Sequence, residues 1–376
     1  MAKDSALEKW IYREHTRVKH ILLEKYLYAW IPILGKWHKR ICYFDGFAGR
    51  GEYTDGTFGS PIIAMQVANQ LIKDCKERNR NQYFDEFVCV NIEKDQENFN
   101  NLMEVIKKEK HKYSSQIRVK NKNDEFSNVI SETLSEYGCN LAPSFFFIDP
   151  FGFSGVPFRI IKDILSIPRT EVFFTFMYRE MARFLKNNDL AKIFDELFGI
   201  SIWREILNQN LQDNQREHAL RELYIKQLHD EVKVEYTYPF RICMSEKVQT
   251  LYFLIHATNN FKGHSIMKSI MYNLSAKGNF AYLGPKDRST KQQLSLFNPD
   301  DISELQSFLI NKFKNQTLTF QQIQIESCKP YYEEPPHIEK HYRKAIKTLE
   351  KEGRVSIMRI SSKETGLKEN DRITFI

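Results

Sequence analysis

With 376 residues, 42% of them hydrophobic and 13% aromatic, the chain can bury a large core, which excludes a disordered tail or a small disulfide scaffold. No apolar run approaches the roughly 18 residues that span a bilayer, the opening MAKDSALEKW lacks a signal-peptide core, and the six cysteines contain no C-x-x-C pair. The expectation is a cytoplasmic protein without membrane span, disulfide framework or metal site. Its net charge of +7 is unevenly placed: residues 1–51 hold ten Lys or Arg against five acids, and residues 301–376 hold thirteen against eleven. Such an excess either forms a solvated face or draws a polyanion toward it.

In chain order, Leu7, Trp10, Ile11, Val18, Ile21, Leu22, Tyr26, Leu27 and Trp30 at helical spacing predict an amphipathic helix over 5–31, ended by Pro32 and Gly35 and laid across a sheet edge. A first strand is predicted over 40–44. It breaks into the loop Asp45-Gly46-Phe47-Ala48-Gly49-Arg50-Gly51, where three glycines let backbone approach a ligand. Ser60 and Pro61 read as N-cap and first helical residue of a helix reaching 72, followed by a polar connection over 73–83. Strands over 87–93, 116–120, 144–148 and 171–176 alternate with helices over 95–107, 127–137 and 157–165. This pattern predicts a doubly wound α/β sheet with its ligand at the carboxyl ends of the strands.

A helical insertion is expected over 177–232, closing strands over 234–243 and 251–257, and a helix over 263–274. The organisation read from this is an N-terminal helix (1–35), a Rossmann-like domain (36–284), a linker (285–300) and a C-terminal domain (301–376). In that last part, helices led by Ile302, capped by Thr319 and spanning 337–352, with Gly353 as a stop and two strands over 354–360 and 372–376, predict a winged helix-turn-helix. Lys340, Arg343, Lys344 and Lys347 on its third helix are the candidate nucleic-acid contacts, and the same fold serves equally as a protein docking module. His337 and His341 share metal-ligand spacing, but Ile338 stands where a zinc-protease helix needs Glu, so they read as surface residues.

Three strand ends carry the chemistry. The first is the glycine loop behind Asp45; the second closes on Glu93; the third is Asp149-Pro150-Phe151-Gly152. A nicotinamide site needs its acid about 20 residues after G-x-G-x-x-G, whereas Glu93 comes far later; a P-loop needs Gly-Lys-Ser/Thr, which is absent. An S-adenosylmethionine site fits instead. The loop of Asp45, Phe47, Gly49 and Gly51 would wrap the methionine part, Glu93 would accept both ribose hydroxyls, and Asp124 would accept from the adenine amine or cap the next helix.

The wording YFDGFAGRGEY, GSPIIAM and FFFIDPFGFSG resembles the class I methyltransferase fold and, within it, the three-Cys-motif partner family (TcmP), over about residues 16–280. More distantly, Val18-Lys19-His20, the loop from Asp45 to Tyr53 and the Asp-Pro turn are similar to bacterial 23S rRNA adenine-N6 methyltransferases. The resemblance implies a Rossmann-like methyltransferase with a winged helix, S-adenosylmethionine as cofactor, nucleic acid as substrate and a three-Cys-motif protein as partner. In the adenine-N6 enzymes the motif is Asp-Pro-Pro-aromatic, so Asp149 and the Pro150 carbonyl would accept from the exocyclic amine, and Phe151 or Phe153 would stack on the base. Here Phe151 replaces the second proline and Gly152 the aromatic. A subunit that keeps the fold only to bind a nucleotide-like ligand, docking DNA or its partner through the winged helix, is the alternative. Lys19 and His20 read as a solvated lysine, within reach of nucleic acid, and a packed histidine. The residues from Arg179 to Arg183 either touch phosphate or neutralise Glu180.

Overall fold

The computed structural model describes residues 10–244, 249–275, 278–284, 301–360 and 366–376. It forms two compact units: Met1–Met267 with Tyr282–Lys286, and Lys268–Ala281 with Asp287–Ile376.

In the first unit, α1 (Glu14–Gly35) leads into β1 (Arg40–Asp45), and then α2 (Ser60–Glu77), β2 (Glu86–Ile92), α3 (Gln96–Lys110), β3 (Ile117–Lys122), α4 (Phe126–Tyr137), β4 (Ser144–Ile148), α5 (Phe158–Leu165) and β5 (Thr170–Phe176) alternate. These strands pair in parallel in the order β3-β2-β1-β4-β5. The short helices α6 (Tyr178–Ala182), α7 (Ala191–Phe198) and α8 (Trp203–Asn208) and the longer α9 (Asp213–Gln227) make the expected helical insertion. The chain returns through β6 (Tyr236–Cys243) and β7 (Thr250–Thr258), a hairpin whose second strand pairs antiparallel with β5. This is the doubly wound, Rossmann-like α/β sheet that the strand pattern predicts. Its central strands are buried on both faces, which is why RICYFD and SFFFI read as unbroken apolar runs rather than alternating ones. Phe44 stacks on Phe146 at 4.5 Å on one face, while Tyr26 and Trp30 meet Phe145 on the other. Strand order reverses between β1 and β4, which opens a crevice at their carboxyl ends.

Several local expectations are corrected. Within the described residues α1 starts at Glu14, not 5, and runs through Pro32 to Gly35. It lies on the sheet face, where Tyr26 and Trp30 both donate to the buried Glu171 of β5. Leu7 lies outside the described residues. Gly59, not Ser60, is the N-cap of α2, and the Ser60 hydroxyl bonds Asp45 instead. That helix continues to Glu77, through part of the predicted polar connection.

In the second unit, α11 (Ser303–Phe313), β9 (Thr317–Thr319), α12 (Phe320–Ser327), α13 (Glu339–Lys351), β10 (Val355–Met358) and β11 (Arg372–Phe375) form the winged helix; α10 (Phe261–Leu274) and β8 (Ala281–Tyr282), which precede them, are each divided between the two units. Its core joins Leu305, Leu309, Phe313, Ile346, Leu349 and Phe375. Thr319 caps α12, accepting from Gln322 N at 3.1 Å while Gln322 Oε1 accepts from Thr319 N at 2.9 Å. Gly353 ends α13 at φ +70°, and β9 adds a third strand to the two predicted. The predicted 285–300 linker lies outside the described residues. Residues 268–281 belong to this unit because Lys268 pairs with Glu334 and donates to Pro335 O at 2.7 Å, and Tyr272 packs edge-on against His341 at 4.9 Å. His337 and His341 are not surface residues: both are buried, and His341 Nδ1 accepts from Ile338 N at 3.2 Å, closing the first turn of α13.

Candidate active site

The crevice at β1 and β4 contains a cavity of about 430 Å³, within the range of small-molecule sites. Its walls are the glycine loop, the Asp149-Pro150-Phe151 turn, the first turns of α1 and Tyr252 of β7. The loop is shaped by what its glycines allow. Gly49 and Gly51 take φ of +63° and +78°, and a Cβ on either would fall 2.5 Å from Trp10 or 2.9 Å from Leu102, so the wall there is bare backbone. Asp45 sits beneath it, fully buried, accepting from Tyr43 Oη at 2.9 Å and from Ser60. Burial pushes its carboxyl up to about 7, against the pull of Ser60, Tyr43 and the Phe47 N–H.

Asp149 leaves β4 ahead of Pro150, which holds it extended. Both its oxygens are engaged: Lys19 Nζ lies 2.5 Å from Oδ2, and Thr175 Oγ1 donates to Oδ1 at 2.5 Å. Lys19 is therefore not the solvated lysine the helix pattern suggested; it is 8% exposed, with its ammonium also 5.1 Å from the centre of the Tyr252 ring. His20 is packed as expected, yet it lines the cavity, and its buried Nδ1 has no hydrogen-bond partner. Burial first, then the Lys19 charge, lowers His15 to about 4 and His20 to about 3, so both imidazoles are neutral near pH 7. Phe151 stands at the mouth, 62% exposed and edge-on to Trp10 at 5.2 Å. Phe153 does not share that position; it stacks on Phe194 at 5.0 Å and packs against the main core.

The structure brings Phe47, Gly49, Gly51, Asp149, Pro150, Phe151 and Lys19 to one cavity, but not Asp45, which is sealed beneath the loop, nor Glu93 or Asp124. Glu93 lies behind the loop: Gly49 N donates to Oε2 and Asp95 N to Oε1, each at 2.8 Å. Burial raises its carboxyl, opposed by these two N–H groups. Asp124 accepts from Asn128 Nδ2 at 2.9 Å and Glu125 N at 2.6 Å, which lowers its carboxyl; this is the helix-start role, not a cavity contact. Sequence reading missed Trp10, Tyr53, Thr175 and Tyr252. Thr175 and Tyr252 sit inside strands with no local mark, and only the pairing of β5 with β7 brings their strands together beside Asp149. On α13, Lys340, Lys344 and Lys347 are exposed, whereas Arg343 is drawn inward to Glu339 and the Leu367 carbonyl, with its guanidinium 4.7 Å from the Phe320 ring.

Residues 284–359 match the GMT-like wHTH domain. Among solved structures, the chain is similar to an O-methyltransferase from Bacillus cereus in complex with SAH, at 12% identity over 67% of this chain and 99% of that one, TM-score 0.33. It is also similar to geranyl diphosphate methyltransferase in complex with GPP and sinefungin, at 12% identity over 62% and 77%, TM-score 0.27. No curated protein sequence matches the chain. Among the described residues, no helix is long and apolar enough to cross a membrane.

Proposed function

We propose that this is an S-adenosylmethionine-dependent methyltransferase acting on an amino group of nucleic acid, with adenine N6 the leading target. The observation that carries the reading is the meeting, in one cavity, of a side-chain-free glycine loop and an Asp-Pro-aromatic turn. The loop suits a cofactor that is read by backbone groups, and Phe47, Gly49 and Gly51 would hold it. S-adenosylmethionine, when bound, supplies an electrophilic methyl group. Asp149 and the Pro150 carbonyl would accept from the substrate amine and aim its lone pair, a contribution of orientation rather than proton transfer. Phe151, exposed at the mouth, offers a stacking face for an extruded base, and base–aromatic stacking is worth about 1–3 kcal/mol. Lys19 and Thr175 fix the Asp149 carboxylate in place. In this reading Glu93 serves the ribose only after exchanging a backbone N–H for a hydroxyl.

A second reading follows from the same contacts. Both oxygens of Asp149 already have internal donors, and Gly152 stands where an aromatic would stack, which suits a ligand-binding subunit that docks a three-Cys-motif protein or DNA through the winged helix. Calorimetric titration with S-adenosylmethionine and S-adenosylhomocysteine, followed by methyl-transfer assays on DNA and RNA with Asp149→Ala as control, separates the two. Binding with Asp149-dependent turnover supports the enzyme; binding without turnover on either nucleic acid supports the subunit; absence of binding removes the methyltransferase reading.

A further inference from the structure

The five-residue helix α6 separates two depressions of the first unit. Met177 and Glu180 face the reaction cavity, while Tyr178, Arg179, Ala182 and Arg183 line a groove of about 640 Å³ on the other side. The far wall of that groove comes from α9, β6 and β7, which bring Arg216 and Arg241. Four guanidinium groups thus face two carboxylates, Asp213 and Glu217. The carboxylates are satisfied locally: Arg216 pairs with Asp213 at 3.0 Å and Arg241 with Glu217 at 3.3 Å. Arg183 makes only a loose 3.5 Å contact with Glu180, its side chain 65% exposed, and Arg179 has no carboxylate within pairing distance among the described residues. The two inner arginines are held by acids, whereas Arg179 on α6 has no such partner and Arg183, just after it, has only the loose Glu180 contact and the Phe184 ring at 5.8 Å.

We infer that this groove takes the phosphodiester backbone of the strand whose base enters the cavity, with Arg179 and Arg183 as the phosphate contacts. The planar fork of arginine matches phosphate oxygens two at a time, and a loosely paired guanidinium gives up little when a phosphate replaces its partner. Position supports the assignment as much as charge. A base stacked on Phe151 at the cavity mouth leaves its sugar and phosphate outside, and the wall they must cross is α6 itself. Arg216 and Arg241, fixed by Asp213 and Glu217, frame the groove and add positive potential without being free to reach. The inference rests on the nucleic-acid reading of the cavity, and the experiment is arranged to tell the two apart.

Fluorescence anisotropy of a short labelled single-stranded oligonucleotide is measured over a range of salt for the full chain, for Arg179→Ala/Arg183→Ala and for Arg179→Lys/Arg183→Lys, with S-adenosylmethionine affinity measured on each protein. The expected result is about tenfold weaker binding by the alanine variant and a salt slope smaller by about 1.4, which is about 0.7 for each lost phosphate contact. The lysine variant keeps most of the slope, and cofactor affinity is unchanged. An alanine variant that keeps both affinity and slope overturns the groove while leaving the nucleic-acid reading standing. Wild-type protein that binds cofactor but no oligonucleotide overturns both. Oligonucleotide binding that depends on the two arginines in a protein that binds no cofactor keeps the groove and removes the methyltransferase.

Discussion

Lys19 donates to Asp149 at 2.5 Å, tying the second turn of α1 to the end of β4 across 130 positions of sequence. The side chains are 10% and 21% exposed, so the pair sits in a medium that strengthens it and penalises either partner alone. Since Thr175 holds the other oxygen, the carboxylate has one orientation. Lys19→Ala releases half of that restraint. Under the proposed methyl transfer, the expected outcome is a drop in transfer rate of about 100-fold, as for a misplaced reacting group, with little change in cofactor affinity. Lys19→Arg recovers part of the rate because the cation is kept. A merely structural lysine would instead lower rate and thermal stability together, with no rescue by arginine.

Burial of the Asp45 carboxyl sets the sign of its pH dependence. Its folded carboxyl is raised to about 7 from an ordinary 3.8, mainly by burial, so the folded state holds its proton longer than the unfolded one. The stability this contributes is complete below about pH 4, is lost as pH rises to about 7, and is flat above. His15 and His20 act the other way, since their lowered folded values cost stability as pH falls from 6.5 toward 4 and 3. Wild-type stability therefore shows only a difference of trends. Comparing it with Asp45→Asn isolates the carboxyl: denaturant titrations should coincide near pH 4 and separate in favour of the variant by about 4 kcal/mol at pH 8. A gap that does not change with pH contradicts the raised carboxyl.

Much of this arrangement was legible in the sequence because the parallel strands bury both faces and end in turns. Runs such as Phe145-Phe146-Phe147-Ile148 admit no amphipathic alternative, and Asp149-Pro150 fixes where the strand stops. The glycine loop was legible because its backbone needs residues without side chains: Gly49 and Gly51 take left-handed φ, and a Cβ on them would meet Trp10 and Leu102. What stayed hidden depended on tertiary partners. Glu93 has the position of a ribose ligand, but the nearest donors turned out to be the backbone N–H groups of Gly49 and Asp95. Arg343 fits a basic helix face by spacing, yet Glu339 and the ring of Phe320 draw it inward. Lys19 looked solvated because nothing near it in sequence hinted at a carboxylate 130 residues on.

Trp10 closes one side of the glycine loop. Its ring would touch a Cβ on Gly49, its carbonyl accepts from Thr54 N at 3.1 Å, and it meets both Tyr53 and Phe151. Gly49→Ala therefore meets two obstacles: the left-handed φ, which costs about 1–2 kcal/mol for a residue with a Cβ, and the indole. Only the second can be relieved. The destabilisation by Gly49→Ala should be smaller in a Trp10→Ala background than in wild type, leaving the backbone share behind. Equal losses in both backgrounds, read from thermal melts, would place Trp10 away from the loop in solution.

The third helix of the winged domain carries exposed lysines and an inward-drawn arginine on a single element. Lys340, Lys344 and Lys347 are exposed along one side of α13, whereas Arg343, one position before Lys344, anchors the helix to the Leu367 segment. Arg343 also pairs with Glu339 and covers Phe320, so Arg343→Ala removes packing along with charge. Its expected effect is a loss of about 1–3 kcal/mol in stability of the winged domain, from the hydrogen bonds it makes as a charged donor. Lys344→Ala/Lys347→Ala should lower the melt less than Arg343→Ala does and, if α13 faces a nucleic-acid backbone, weaken duplex binding about equally for all sequences, with a salt slope smaller by about 1.8, about 0.9 per lysine on B-form DNA. A melt that falls with the lysine pair and not with Arg343 would reverse these roles. Lysine variants with wild-type duplex affinity would turn this helix toward a protein partner.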